Sequence, residues 1–230
     1  MKSSVHVIQK NKIKKFQSSI IEWYKLRSRR LPWRLTNDPF KILVAEFLLQ
    51  KTDVEKVKPV YEEFLRHWPS SEKLSQARLS SLSKCLHPLG LKYKAERLKS
   101  TAKILLKKSR GQVPQSEDKL LELPGVGRYI ASAVQCFAFN KHKAVLDTNV
   151  IRILERIFGI QSKKNRPRDD LILWNFAQKL VPKKNAKDYN WGLLDYGALV
   201  CKSKKPLCWE CGLKNICIFY DRMNFNTQNT

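Results

Sequence analysis

Four cysteines, Cys201, Cys208, Cys211 and Cys217, fall within CKSKKPLCWECGLKNIC at C-x6-C-x2-C-x5-C spacing. Thiolates are soft ligands, and four of them in one short loop suit structural zinc or a [4Fe–4S] cluster. Zinc sites more often use two closely spaced pairs, and this loop has a single C-x2-C, so the spacing leans toward the cluster. Lys202, Lys204, Lys205 and Lys214 lie in or beside the loop, where they either reach phosphates or simply solvate it. Cys85 and Cys136 sit on apolar helical stretches and read as small buried residues.

A second stretch, LPGVGRYIASAV at residues 123–134, places two glycines around one valine between helical flanks. Pro124 ends the preceding helix, and Gly125 and Gly127 permit positive φ and close backbone approach before the next helix begins. Such a turn presents amide N–H groups beside a helix N-terminus, a geometry that holds phosphate, although an ordinary tight connection between packed helices has the same residues. A dinucleotide-binding turn is excluded by the helical flank and by Ile130 where a third glycine is needed.

Two carboxylates stand out. Asp147 closes an apolar run in AVLDTNVIRIL, where its simplest role is an N-cap. Glu46, in KILVAEFLLQKT, has apolar neighbours on a helix that should be buried; either it reaches solvent from a helix edge or it serves a reaction.

These residues need elements to position them. Apolar residues recur at helical spacing, strand signals are nearly absent, and helices are expected over 12–28, 39–51, 53–67, 71–86, 90–109, 116–122, 126–138, 149–159, 168–181 and 187–200. Residues 1–11 and 221–230 read as mobile polar ends. The fold class is all-α. Lys and Arg number 45 against 20 Asp and Glu, a net charge of +25 that fits a polyanionic partner such as nucleic acid. With no run of 18 apolar residues and no signal-peptide pattern, an intracellular protein is expected, in the cytoplasm or nucleoid of a prokaryote or another DNA-containing compartment.

The stretch LLELPGVGRYIASAV closely resembles the helix-hairpin-helix of the endonuclease III superfamily of DNA glycosylases, and further matches extend from about Pro32 to Cys217. The resemblance implies a two-lobe helix-hairpin-helix fold. A six-helix lobe would span 38–141, an iron–sulfur cluster lobe 1–37 with 142–225, and a tail 226–230. Gly125, Val126, Gly127 and Arg128 would clamp the DNA backbone. Asp147 falls on the family's catalytic aspartate, where a carboxylate stabilises an oxocarbenium-like state or directs water. Glu46 matches a glutamate of the adenine and thymine-mismatch branches, placed to contact the flipped base or share proton transfer. Gln50, Lys51 and Thr52 resemble the loop that fills the space left by the extruded nucleotide, and Leu91 the wedge inserted into the duplex, although Leu91 reads equally as core.

The cysteine loop matches the family's iron–sulfur loop residue for residue, implying a [4Fe–4S] cluster on Cys201, Cys208, Cys211 and Cys217. Bifunctional members carry a lysine where this chain has Tyr129, and a phenol cannot form their Schiff base. Tyr129 instead is similar to the thymine-mismatch branch, and would stack on or hydrogen-bond the extruded nucleotide unless it is simply a helix-surface or core residue. The implied activity is monofunctional removal of thymine or uracil opposite guanine by a monomer acting on double-stranded DNA. Excision of adenine opposite guanine or 8-oxoguanine, oxidised-pyrimidine excision with lyase activity, and non-catalytic DNA binding are the alternatives.

Overall fold

Short polar side chains begin the helices that matter most. Asp38 accepts from the N–H groups of Phe40 and Lys41 at 2.9 and 3.3 Å, and Pro39 occupies the first helical position of α2 (Pro39–Leu49). Asp53 caps α3 (Val54–His67), Ser70 caps α4 (Ser71–Gln76) and Asp170 caps α10 (Leu171–Leu180) in the same way. The remaining helices are α1 (Lys2–Arg27), α5 (Leu79–Leu86), α6 (Tyr93–Ser109), α7 (Glu117–Leu121), α8 (Arg128–Phe137), α9 (Thr148–Phe158), α11 (Ala186–Leu199) and α12 (Ile218–Thr227). The structure is a computed structural model that describes residues 2–90 and 93–227, and among these there is no strand.

The chain divides into two compact units, Arg30–Lys141 and Met1–Arg29 with His142–Thr230. In the first, α2 is the central element: eight of its residues, from Phe40 to Leu48, are buried, and α3, α6 and α8 pack around it. A helix buried on nearly every side needs apolar residues almost all round, and FKILVAEFLL supplies them, with the half-buried Lys41 and the buried Glu46 the exceptions.

In the second unit α11 packs against α1 and α9. A Cβ at Gly197 would lie 2.6 Å from that of Asn149, so glycine is what allows α11 to approach the start of α9. The buried Asp195 of α11 receives the Arg29 backbone N–H at 3.0 Å and its guanidinium Nε at 2.7 Å, which ties the end of the N-terminal segment to α11. Edge-to-face pairs of Phe16 with Phe158 and of Trp23 with Tyr196, centroids 5.2 and 5.1 Å apart, fill the α1 side.

Three expectations are corrected. The first helix begins at Lys2 rather than at 12, since no glycine or proline interrupts the chain between there and Arg27. The helix expected over 71–86 breaks at Ala77 and Arg78, both extended; no breaker residue marks the place, and burial of Leu74, Ala77 and Leu82 shows that packing sets it. A further helix, α12, follows Cys217 where a polar end was expected.

Replacing Arg29 with Ala leaves the fully buried Asp195 carboxylate facing a lost guanidinium. Urea denaturation should register a stability loss of about 3 kcal/mol, typical of breaking one side of a buried ion pair.

Candidate functional site

The glycine hairpin of the Arg30–Lys141 unit joins α7 to α8. Gly125 has φ +83°, and a Cβ there would meet Arg97 Cδ at 2.8 Å and Phe47 Cε1 at 3.0 Å; both conformation and space demand glycine. Gly127 does not take the positive φ expected of it. Its backbone is extended (φ −99°, ψ −178°), and a Cβ there would have no neighbour within 4 Å. What glycine provides at 127 is therefore bare backbone on an open face, at the N-cap of α8, with no side chain to cap the helix.

The carbonyls of the turn are held from within. Gln50 Nε2 donates to Gly125 O at 3.1 Å, Thr101 Oγ1 to Pro124 O at 3.2 Å, and the Val126 side chain is buried, so only its backbone is available. With carbonyls turned inward, the positive end of the α8 dipole is left at the exposed positions Gly127 and Arg128, an arrangement suited to a phosphate oxygen. Tyr129 follows on the first turn of α8 and is half-buried.

Glu46 is 4% exposed near the end of α2, so its carboxylate lies in the core rather than reaching solvent from a helix edge. Lys51 in the succeeding loop is exposed with φ +55°, while Gln50 and Thr52 are half-buried and bonded inward. Leu91 lies outside the described residues.

In the other unit, Asp147 is the N-cap of α9. Its Oδ1 accepts the Val150 N–H at 2.7 Å and its Oδ2 accepts Asn149 Nδ2 at 2.8 Å. Burial pushes its pKa up, and these hydrogen bonds with the nearby Arg152 guanidinium offset the rise only in part. The approach to it is rigid: the buried Asn190 side chain accepts from Val145 N–H at 2.9 Å and donates to Lys143 O at 2.9 Å and Ala186 O at 2.8 Å. Arg152, one turn along α9, bridges Asn149 Oδ1, Gly197 O and Cys201 O at 2.7–2.9 Å.

The four loop cysteines line a single pocket with Arg156 and Tyr196 among its other walls. Arg156 Nη1 lies 3.4 Å from Cys201 Sγ and donates to Lys202 O at 2.7 Å, and the Tyr196 hydroxyl is 3.1 Å from Cys211 Sγ. Burial, followed by the neighbouring Cys211 and Cys201, pushes the Cys208 thiol up; burial likewise raises Cys217. Among the described residues, no three His, Cys, Asp or Glu side chains form a group that could hold a single metal ion. Lys202, Lys204, Lys205 and Trp209 are exposed on the loop, and Lys214 is half-buried. Cys136 is fully buried and Cys85 half-buried, its thiol pushed up to about 11 by burial.

Three residues escape sequence reasoning: Lys94, whose Nζ donates to Leu48 O and Thr52 Oγ1, Arg156 and Tyr196. Nothing in their spacing separates Lys94 or Arg156 from the many other basic residues, and Tyr196 reads as ordinary core. Only the fold brings them to backbone carbonyls and sulfurs.

The chain belongs to the HhH-GPD superfamily of base excision DNA repair proteins, whose pattern matches residues 44–179. It is 44% identical over 218 residues to the thymine-DNA glycosylase of Aeropyrum pernix, covering 93% of this chain and 98% of that protein. It is also 44% identical over 213 residues to the thymine/uracil-DNA glycosylase of Pyrobaculum aerophilum, covering 90% and 93% respectively. The solved structure of a thermostable thymine-DNA glycosylase matches with a TM-score of 0.88 at 36% identity, over 93% of this chain and 99% of that one. The protein is a DNA N-glycosylase, and its nucleic-acid partner is DNA.

The two glycines should separate experimentally. Gly125→Ala combines positive φ with two close contacts and should cost about 1–3 kcal/mol in denaturant unfolding. Gly127→Ala should shift stability by under about 1 kcal/mol while weakening DNA binding measured by fluorescence anisotropy, because its methyl group occupies only the open face.

Proposed function

We propose that this protein is a monofunctional, monomeric mismatch glycosylase that hydrolyses the N-glycosidic bond of thymine or uracil opposite guanine in double-stranded DNA. The observation that carries the substrate is similarity along nearly the whole chain to thymine- and thymine/uracil-DNA glycosylases. Tyr129 bears on the reaction type: a phenol on the first turn of α8 offers no amine for an imine with the sugar, so an intact abasic site is left.

Asp147 is the proposed catalytic carboxylate. As the base departs, positive charge grows on the deoxyribose, and a carboxylate held rigidly at the start of α9 stabilises that charge or orients the attacking water. Water gives its hydroxyl to the sugar carbon and a proton to the departing base. Glu46 is the proposed group at the extruded base, sharing that proton transfer. The hairpin at Gly125, Val126, Gly127 and Arg128 grips the backbone, Gln50, Lys51 and Thr52 fill the gap left in the duplex, and Leu91 wedges into the duplex from the opposite side.

Cys201, Cys208, Cys211 and Cys217 are the proposed ligands of a [4Fe–4S] cluster, which when bound cross-links the loop before α12. Support comes from the all-thiol donor set, whose four cysteines line one pocket. Purified protein should be brown and contain about four irons per chain; a colourless, zinc-loaded protein would contradict the assignment.

Duplexes containing T·G, U·G, A·G or A·8-oxoguanine, with and without alkali, test the activity. Cleavage of T·G and U·G only after alkali is expected, and excision of adenine would overturn the substrate. Asp147→Asn should lower excision about 100-fold or more while DNA affinity stays near wild type. Asn is also a good N-cap, and the raised pKa means that ionised Asp147 costs the fold stability as pH climbs from its unfolded value through its folded one. The variant should therefore melt no lower than wild type at pH 7, and any advantage should fade below about pH 4.

A further inference from the structure

Lys94 is 0% exposed, an unusual state for an ammonium group, and the chemistry proposed above makes no use of it. Its Nζ donates to Leu48 O at 2.6 Å, at the C-terminal end of α2, and to Thr52 Oγ1 at 2.8 Å. The bonds continue outward. Thr52 Oγ1 donates to Gln50 O at 3.1 Å, and Gln50 Nε2 donates to Gly125 O at 3.1 Å in the glycine hairpin. Between the two anchored residues, Lys51 is held in the left-handed region at φ +55°, which a lysine rarely adopts without such constraint. Arg97, three residues along α6 and on the same face, lays its aliphatic stem against Gly125. One face of α6 therefore touches both the loop at 49–52 and the hairpin.

We propose that Lys94 is a positioning residue for DNA engagement: from inside the protein it sets the shape of the loop at Gln50–Thr52 and, through Gln50, the register of that loop with the hairpin. A buried ammonium suits the task because its donors aim in several directions at once and the carbonyl end of a helix attracts it. Burial without a carboxylate pushes its pKa down to about 8, so the charge is retained against a desolvation penalty. An apolar residue of similar length would fill the space without that penalty but would leave the loop unanchored.

The inference rests on the hairpin and its neighbouring loop being the DNA-binding elements. Lys94→Met keeps the length and removes the donors. Its melting temperature should equal or exceed wild type, while DNA affinity falls about tenfold and the single-turnover excision rate at saturating enzyme falls less than threefold. In a Gln50→Ala background the Lys94→Met effect on affinity should largely vanish, since the path to the hairpin is already cut. Wild-type affinity in Lys94→Met, or an undiminished effect in the Gln50→Ala background, would overturn the proposal, as would an affinity loss matched by a fall in melting temperature. If Lys94→Met does not fold, Thr52→Val breaks the middle link with a near-isosteric side chain; it should weaken affinity in the same direction, and wild-type affinity there overturns the proposal. Gly127→Ala separates the two readings. Normal DNA binding by Gly127→Ala refutes the hairpin's role itself, whereas weakened binding there with normal binding by Lys94→Met refutes only the brace.

Discussion

Every helix leaves its first N–H and last C=O groups without intrahelical partners, and in a chain built from helices that constraint falls on every connection. Several starts are resolved with a short polar side chain, as at Asp38, Asp53 and Asp170. The instructive ends are resolved differently. Gly127 brings no side chain to the start of α8, Asp147 caps α9 with a carboxylate whose pKa burial raises, and Lys94 closes the end of α2 with a buried ammonium. At the far end of α9, Lys12 Nζ donates to Ile157 O at 2.7 Å while lying over the Phe158 ring. Several residues of chemical interest are thus also residues that finish helices, and their geometry follows from that duty.

That coincidence has an energetic side. An ionised carboxylate recessed at Asp147 and an ammonium sealed at Lys94 both lower the stability that neutral groups of the same shape would give. Such costs are tolerated where surrounding elements over-determine the position. Asn190 pins the segment leading to Asp147, and Arg152 ties the first turn of α9 to Gly197 and Cys201. The fully buried Asp195, held by Arg29, fastens the end of the N-terminal segment to α11. Polar networks of this kind specify one arrangement of helices where apolar packing alone would accept several.

The net charge of +25 acts on a different scale. It raises the local concentration of DNA without selecting a base, so most of the lysines need only remain exposed. Discrimination has to come from the few positions where side chains are held rigidly, since a misplaced group loses both affinity and rate.

Much of this was legible in the residues themselves. Helical periodicity, Pro39 and Pro124, and the acidic N-caps placed most elements because local backbone preferences act within a few residues. The cysteine spacing marked one loop, and the hairpin marked a helix N-terminus, because the relevant geometry is local. Tertiary structure decided what depends on distant neighbours. It made Gly127 extended rather than left-handed, broke the chain at Ala77–Arg78 without a breaker residue, and carried α12 beyond Cys217. It also selected Lys94 from among 45 basic residues by sealing it against Leu48 and Thr52. Sequence determines which groups are present and how the chain turns locally; burial and hydrogen-bond partners arise from residues tens of positions apart, and only packing brings those together.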